Sequence, residues 1–190
     1  MITAASVVPA AGIFKRPSVR ETTVLLALAW LVPFLIHLVP WAGARPLGVY
    51  LLPAFWTAFV AVYLYGLGIG LLVALFAPAL NLVLTGLPAL AWLAMMSWEL
   101  TVFVLLTWWA VRKFPGWWVI APAGYIGAKL SATLLQMALG NTNHAGLAGL
   151  SSSLRNGLAG LAVLAAVNFV LMKLYPKQAK MTGDENFTGN

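Results

Sequence analysis

Long apolar stretches decide what this chain can fold into. A helix needs about 20 apolar residues to cross a bilayer, and six stretches near that length follow one another between Thr22 and Tyr175. They run Thr22 to Val39, Leu47 to Tyr63, Gly68 to Leu84, Pro88 to Val111, Gly116 to Leu139, and Leu154 to Tyr175. The second and third are joined by the tight turn Leu64-Tyr65-Gly66-Leu67. Hydrophobic residues make up 62% of the chain and charged residues 8%, against about 45–50% and about 25% in soluble domains. A soluble fold of that composition would leave a large apolar area in water, and disorder needs the opposite balance. An outer-membrane barrel would show alternating ten-residue strands, which are absent from the sequence. The expectation is an all-α integral membrane protein, a bundle of six transmembrane helices.

The cations report orientation. Lys15, Arg16, Arg20, Arg112, Lys113, Lys173, Lys177 and Lys180 fall on one side of this bundle and Arg45 and Arg155 on the other, with Lys129 inside the fifth stretch. Short cytoplasmic loops carry the excess of Lys and Arg. Both termini are therefore expected in the cytoplasm, with the chain multi-pass in the inner (plasma) membrane. The net charge of +7 is spread over stretch ends and forms no basic stripe, so no nucleic-acid partner is expected. Trp41, Trp117 and Trp118 fall near stretch ends, where interface aromatics belong. Residues 1–20 read as a cytoplasmic head, 21–176 as one membrane domain and 177–190 as a cytoplasmic tail. Ala42-Gly43-Ala44 looks like a signal-peptidase site, but the preceding run is longer than the usual h-region of about 7–15 residues.

Of the chain's four acids, Glu99 alone lies inside a stretch, and Lys129 sits near the middle of the next. A charge at mid-bilayer costs at least about 2.5–3.5 kcal/mol, so both are expected to face the bundle interior or a wet cavity. Antiparallel neighbours would bring them to similar depth. They then form either a structural ion pair that fixes register or part of a ligand site. Trp98, beside Glu99, suits the aromatic wall of a small-molecule pocket. The polar loop Gly140-Asn141-Thr142-Asn143-His144 offers Asn141, Asn143 and His144 for helix capping or for contact with a polar ligand. His37 ends the first stretch, and two histidines with no cysteine are thin grounds for a metal site. Pro78 frees a helical carbonyl close to Asn81 and Thr85. No P-loop, H-E-x-x-H or G-x-S-x-G motif is present. Ser151-Ser152-Ser153 has no evident base partner. No catalytic residue, cofactor or metal is expected.

The first four stretches together resemble the substrate-binding S components of energy-coupling factor (ECF) transporters. The resemblance is carried by Ile36-His37-Leu38-Val39-Pro40, Leu52-Pro53 and Gly66-Leu67-Gly68-Ile69-Gly70. It continues through Ala77-Pro78-Ala79-Leu80-Asn81 and Thr85-Gly86-Leu87-Pro88 to Met95-Met96-Ser97-Trp98-Glu99-Leu100. It covers about half of the chain. It implies an outward-facing cavity bordered by Glu99, Thr85, Asn81 and His37, closed by the loops after the first, third and fifth stretches. It also implies a vitamin or similar solute as ligand, with a transmembrane coupling subunit and two ATPase subunits as partners. The Ala-x-x-x-Ala docking pattern of many S components is missing, since Leu31 follows Ala27 and Pro33 follows Ala29. A proton-coupled secondary carrier using Glu99, a membrane enzyme and a non-transport assembly subunit are the rival readings.

Overall fold

The computed structural model describes residues 19–40, 42, 47–86, 89–140 and 146–176. Among the described residues the chain is helical throughout, with no strand. The helices are α1 (Val19–Leu38), α2 (Leu47–Leu51), α3 (Pro53–Tyr65), α4 (Leu67–Thr85), α5 (Leu90–Lys113), α6 (Ile120–Ala138), α7 (Leu147–Asn156) and α8 (Leu158–Leu174). Within them, one helix, Trp92–Lys113 of α5, is by itself long and apolar enough to cross a membrane, and α7 with α8 passes as a broken pair bent by 59°. The head, the tail, Trp41 and the loop bearing Asn141, Asn143 and His144 lie outside the described residues.

α3 is the axis of the bundle. It packs against α1, α4, α5, α6 and α8. Phe55, Ala58, Phe59, Ala61, Val62 and Tyr63 are buried along it, on more than one face. The partner helices bring narrower stripes. Leu100, Phe103, Val104, Thr107 and Val111 of α5 recur at helical spacing and are buried. On α4, Gly70 sits where a Cβ would stand 2.9 Å from Val62 Cβ and 3.0 Å from Val104 Cγ1. On α6, a Cβ on Gly124 would stand 2.5 Å from Thr107 Cγ2, and one on Gly127 2.6 Å from Leu106 Cδ1. Glycine at these points lets α5 and α6 approach more closely than any larger residue would allow. Ring edges complete the centre, with Phe55 edge-on to Phe103 at 5.2 Å and to Tyr125 at 4.9 Å.

The expected second stretch is two helices. Leu52 breaks it with φ 53° and ψ 45°, a left-handed conformation that costs a non-glycine residue about 1–2 kcal/mol. Pro53 contributes, because the residue before proline is pushed out of the right-handed helical region. The break is repaired locally. The Trp56 indole donates to the Leu51 carbonyl at 3.0 Å, and the Phe55 N–H to the Leu52 carbonyl at 3.0 Å. The Leu52 side chain then seats on α8, where a Cβ on Gly160 would fall 2.5 Å from Leu52 Cγ. The sixth stretch breaks as well, at Gly157, whose Cβ would lie 3.0 Å from the Tyr125 hydroxyl. The two interrupted helices therefore meet at their interruptions.

The third stretch is continuous. α4 runs through Pro78 without a break and ends at Gly86 with φ 73°, where glycine is the residue that adopts the angle freely. The turn from α3 to α4 is a single residue, Gly66 with φ 88°, whose N–H returns to the Val62 carbonyl at 3.0 Å. The fifth stretch starts later than expected: residues 114–119 form a turn, and α6 begins at Ile120.

Gly160→Ala is expected to lower stability by about 1–3 kcal/mol through overpacking on Leu52. Gly68→Ala, in the first turn of α4 with nothing within 4 Å, is expected to be neutral or to stabilise by up to about 1 kcal/mol. Thermal unfolding of the detergent-purified variants checks both, and an unchanged Gly160→Ala midpoint would refute the seating of Leu52.

Candidate functional site

α5 and α6 run antiparallel, and their packing places Glu99 opposite Lys129. Lys129 Nζ donates to Glu99 Oε2 at 2.6 Å, the short separation of a charge-assisted bond. The side chains are 20% and 12% exposed respectively, so the pair is held inside without being sealed. One residue earlier on α5, the Trp98 indole donates to Ser131 Oγ at 3.1 Å. The two contacts tie the same helices in one register. Trp98 remains exposed on its outer side.

Tyr125 lies one turn before Lys129 on α6, and Lys129 Nζ stands 5.8 Å from its ring centroid. That ring is the same one that packs on Phe55 and approaches Gly157. The ion pair thus sits above an aromatic floor formed where the two broken helices meet. Thr133, one turn beyond Lys129, turns its hydroxyl back onto the Lys129 carbonyl at 2.9 Å and adds no free donor to the pair.

The expected site residues divide into four groups. Glu99, Lys129 and Trp98 are brought together. Asn81, half-buried and partnered, lies on α4, which packs against α5. Thr85 closes α4 and His37 lies in the last turn of α1, with their side chains outside what is described. Asn141, Asn143 and His144 fall outside the described residues. Ser131 and Tyr125 join the site without having been singled out in the sequence. Tyr125 had a legible signal, since it precedes Lys129 by four residues and so shares its helix face. Ser131 had none, because a serine on a helix is ordinary until its partner is known.

Among the described residues, two buried polar atoms elsewhere lack a hydrogen-bond partner, Thr101 Oγ1 and Asn168 Oδ1. Among the described residues, no group of three His, Cys, Asp or Glu side chains is placed to hold a metal ion. The arrangement is one of binding groups. It offers an acceptor and a donor that neutralise each other, an indole, a hydroxyl and an aromatic floor. Comparison of the chain with protein-family models, curated proteins and solved structures returned no match.

Removing one partner of the pair strands the other charge away from bulk water, whereas removing both does not. Glu99→Gln and Lys129→Met are each expected to destabilise the protein, and the double variant to be more stable than the two losses added together predict. A double-mutant cycle on unfolding midpoints should give a coupling energy of at least about 1 kcal/mol. Simple additivity would mean that the pair contributes nothing to holding α5 on α6.

Proposed function

We propose that the chain is a six-span membrane protein and the solute-binding subunit of an ECF-type uptake transporter, taking a vitamin or similar small molecule. The observation that carries this reading is the Glu99–Lys129 pair. It places the acidic residue of the long apolar region, with its cation, in the interior between two apolar helices. Ionisable groups at such positions mark solute and ion pathways. The aromatic neighbours Trp98 and Tyr125 add the wall and floor that suit a small molecule.

The outer surface supports the membrane setting. Val24, Leu28, Leu31 and Leu35 form an exposed stripe along α1, and Leu72, Phe76, Leu80 and Val83 another along α4. Water disfavours apolar faces of that extent, while lipid tails match them. Taking α2 with α3 and α7 with α8 as one broken passage each, the helices make six crossings with both ends in the cytoplasm. The protein captures its solute from outside and performs no covalent step. A coupling subunit and two ATPases supply the energy, in keeping with a chain that has no nucleotide-binding loop of its own.

Native mass spectrometry of the detergent-purified protein is expected to show a vitamin-sized compound at near one-to-one stoichiometry. Glu99→Gln is then expected to weaken its binding at least tenfold, about 1.4 kcal/mol. Unchanged affinity in a folded variant would remove Glu99 from the site. Uptake that survives loss of every ATPase yet collapses with the proton gradient would replace this reading with a secondary carrier.

Because the native chain has no cysteine, single cysteines read its topology without background. Asn143→Cys is expected to react with an impermeant thiol reagent on intact cells, and Lys177→Cys only after permeabilisation. The reverse pattern would overturn the orientation.

A further inference from the structure

The end of the bundle where α5 and α8 finish carries a cationic and aromatic ledge that the ion-pair site does not use. α5 ends in Arg112 and Lys113, both exposed. Neither cation points freely into solvent. The Arg112 guanidinium lies 4.6 Å from the centroid of the half-buried Trp108 ring, and Lys113 Nζ 5.1 Å from that of Trp109. A guanidinium with one face on an indole keeps its N–H edge available for an anion.

The turn that follows is fixed in place. Phe114 stacks on Trp117 with centroids 4.9 Å apart, and the Trp117 N–H donates to the Phe114 carbonyl at 3.1 Å. The Trp117 carbonyl in turn accepts from the Nδ2 of the fully buried Asn168 on α8 at 3.1 Å. Asn168 thereby clamps this turn to α8, and Lys173, drawn over Phe169, brings a third cation to the same end. Around the cations, Trp109, Trp117 and Trp118 are each more than half exposed.

We infer that this ledge is a binding site for the headgroup of an anionic phospholipid, held by Arg112 and Lys113 and bordered by the three tryptophans. Charge complementarity favours that occupant. Glu99, the acid of α5, is about 20 Å back along the helix and is already paired with Lys129. Glu21 directly follows Arg20 in the sequence, so the two formal charges sum to zero. The Lys/Arg bias puts this end at the cytoplasmic leaflet, which is the anionic one. Exposed indoles beside cations match the headgroup level, where one edge meets water and the other hydrocarbon. The inference rests on the membrane setting proposed above and is independent of solute transport.

The test uses the full chain in nanodiscs of phosphatidylcholine alone or mixed with phosphatidylglycerol. Lipid retained after detergent extraction is read by native mass spectrometry. Retention of phosphatidylglycerol over phosphatidylcholine is expected. Arg112→Gln combined with Lys113→Gln is expected to reduce it about 25-fold, each cation contributing a factor of about five at an anionic surface. Arg155→Gln, which removes one charge at the other end, leaves retention unchanged. The charge-preserving swap of Arg112→Lys with Lys113→Arg retains the lipid, so a folding defect in the neutral variant is separable from loss of charge. Equal retention of the two lipids by the native chain would overturn the inference, as would a folded neutral variant that keeps its phosphatidylglycerol. Stabilisation by inorganic phosphate equal to that by the lipid would make this a soluble-anion site instead. A neutral variant that keeps lipid but loses a copurifying protein would make it a protein-docking face. A chain that stays in solution without detergent would sink the membrane setting itself, and unaltered solute binding by the neutral variant leaves the transport reading intact.

Discussion

The close approach of α5 and α6 is the constraint on which the rest of the molecule depends. An ion pair at 2.6 Å between two helices requires the backbones to be near enough for both side chains to reach, and Gly124 and Gly127 supply that nearness. With the pair formed, Trp98 falls opposite Ser131 and Tyr125 falls beneath Lys129. Tyr125 then fixes the position of α3 through Phe55 and of the α7–α8 bend through Gly157. Charge, register and core packing are in this way consequences of one another.

Much of the helical plan was legible because apolar runs and their punctuation are written directly in the chain. The run from Gly68 to Leu84 corresponds to α4 at Leu67–Thr85, and that from Pro88 to Val111 to α5 at Leu90–Lys113. The breaks were not legible in the same way. An apolar run looks alike whether the helix inside it is straight or interrupted, so hydropathy passes over Leu52 and Gly157. Local chemistry did carry hints, in the Leu52-Pro53 dipeptide and in the glycine itself, but what makes each break stable is tertiary. Leu52 pays its strain back by filling the space over Gly160. The late start of α6 has a similar origin, since the turn before it is held by Asn168 from a helix some fifty residues away in sequence.

The candidate site divides along the same line. Glu99 and Lys129 stood out because charges in apolar runs are rare, and opposite charges on neighbouring antiparallel helices have few alternatives to meeting. Their consequence for ligand choice was not legible. As long as each neutralises the other, the pair favours neither sign, and a solute of the proposed kind would have to accept the pair as a polar wall or offer each member a better partner. Ser131 and Tyr125 carry no charge and no rarity, so their part follows only from the register of α5 on α6.

The brevity of the central helix has a consequence for thickness. Thirteen residues rise about 20 Å, some 10 Å less than the hydrocarbon depth of a bilayer near 30 Å. α4 and α5 beside it are longer, at 19 and 24 residues. In the proposed bilayer setting the molecule would thus be tall at its rim and short along its axis. The missing depth lies on the Leu52 side, where Leu52 separates α2 from α3 and α7 is bent by 59° from α8. On that side the buried Leu52 side chain packs against Gly157 and Gly160, so the short axis is closed by packing above the buried rings of Phe55 and Tyr125.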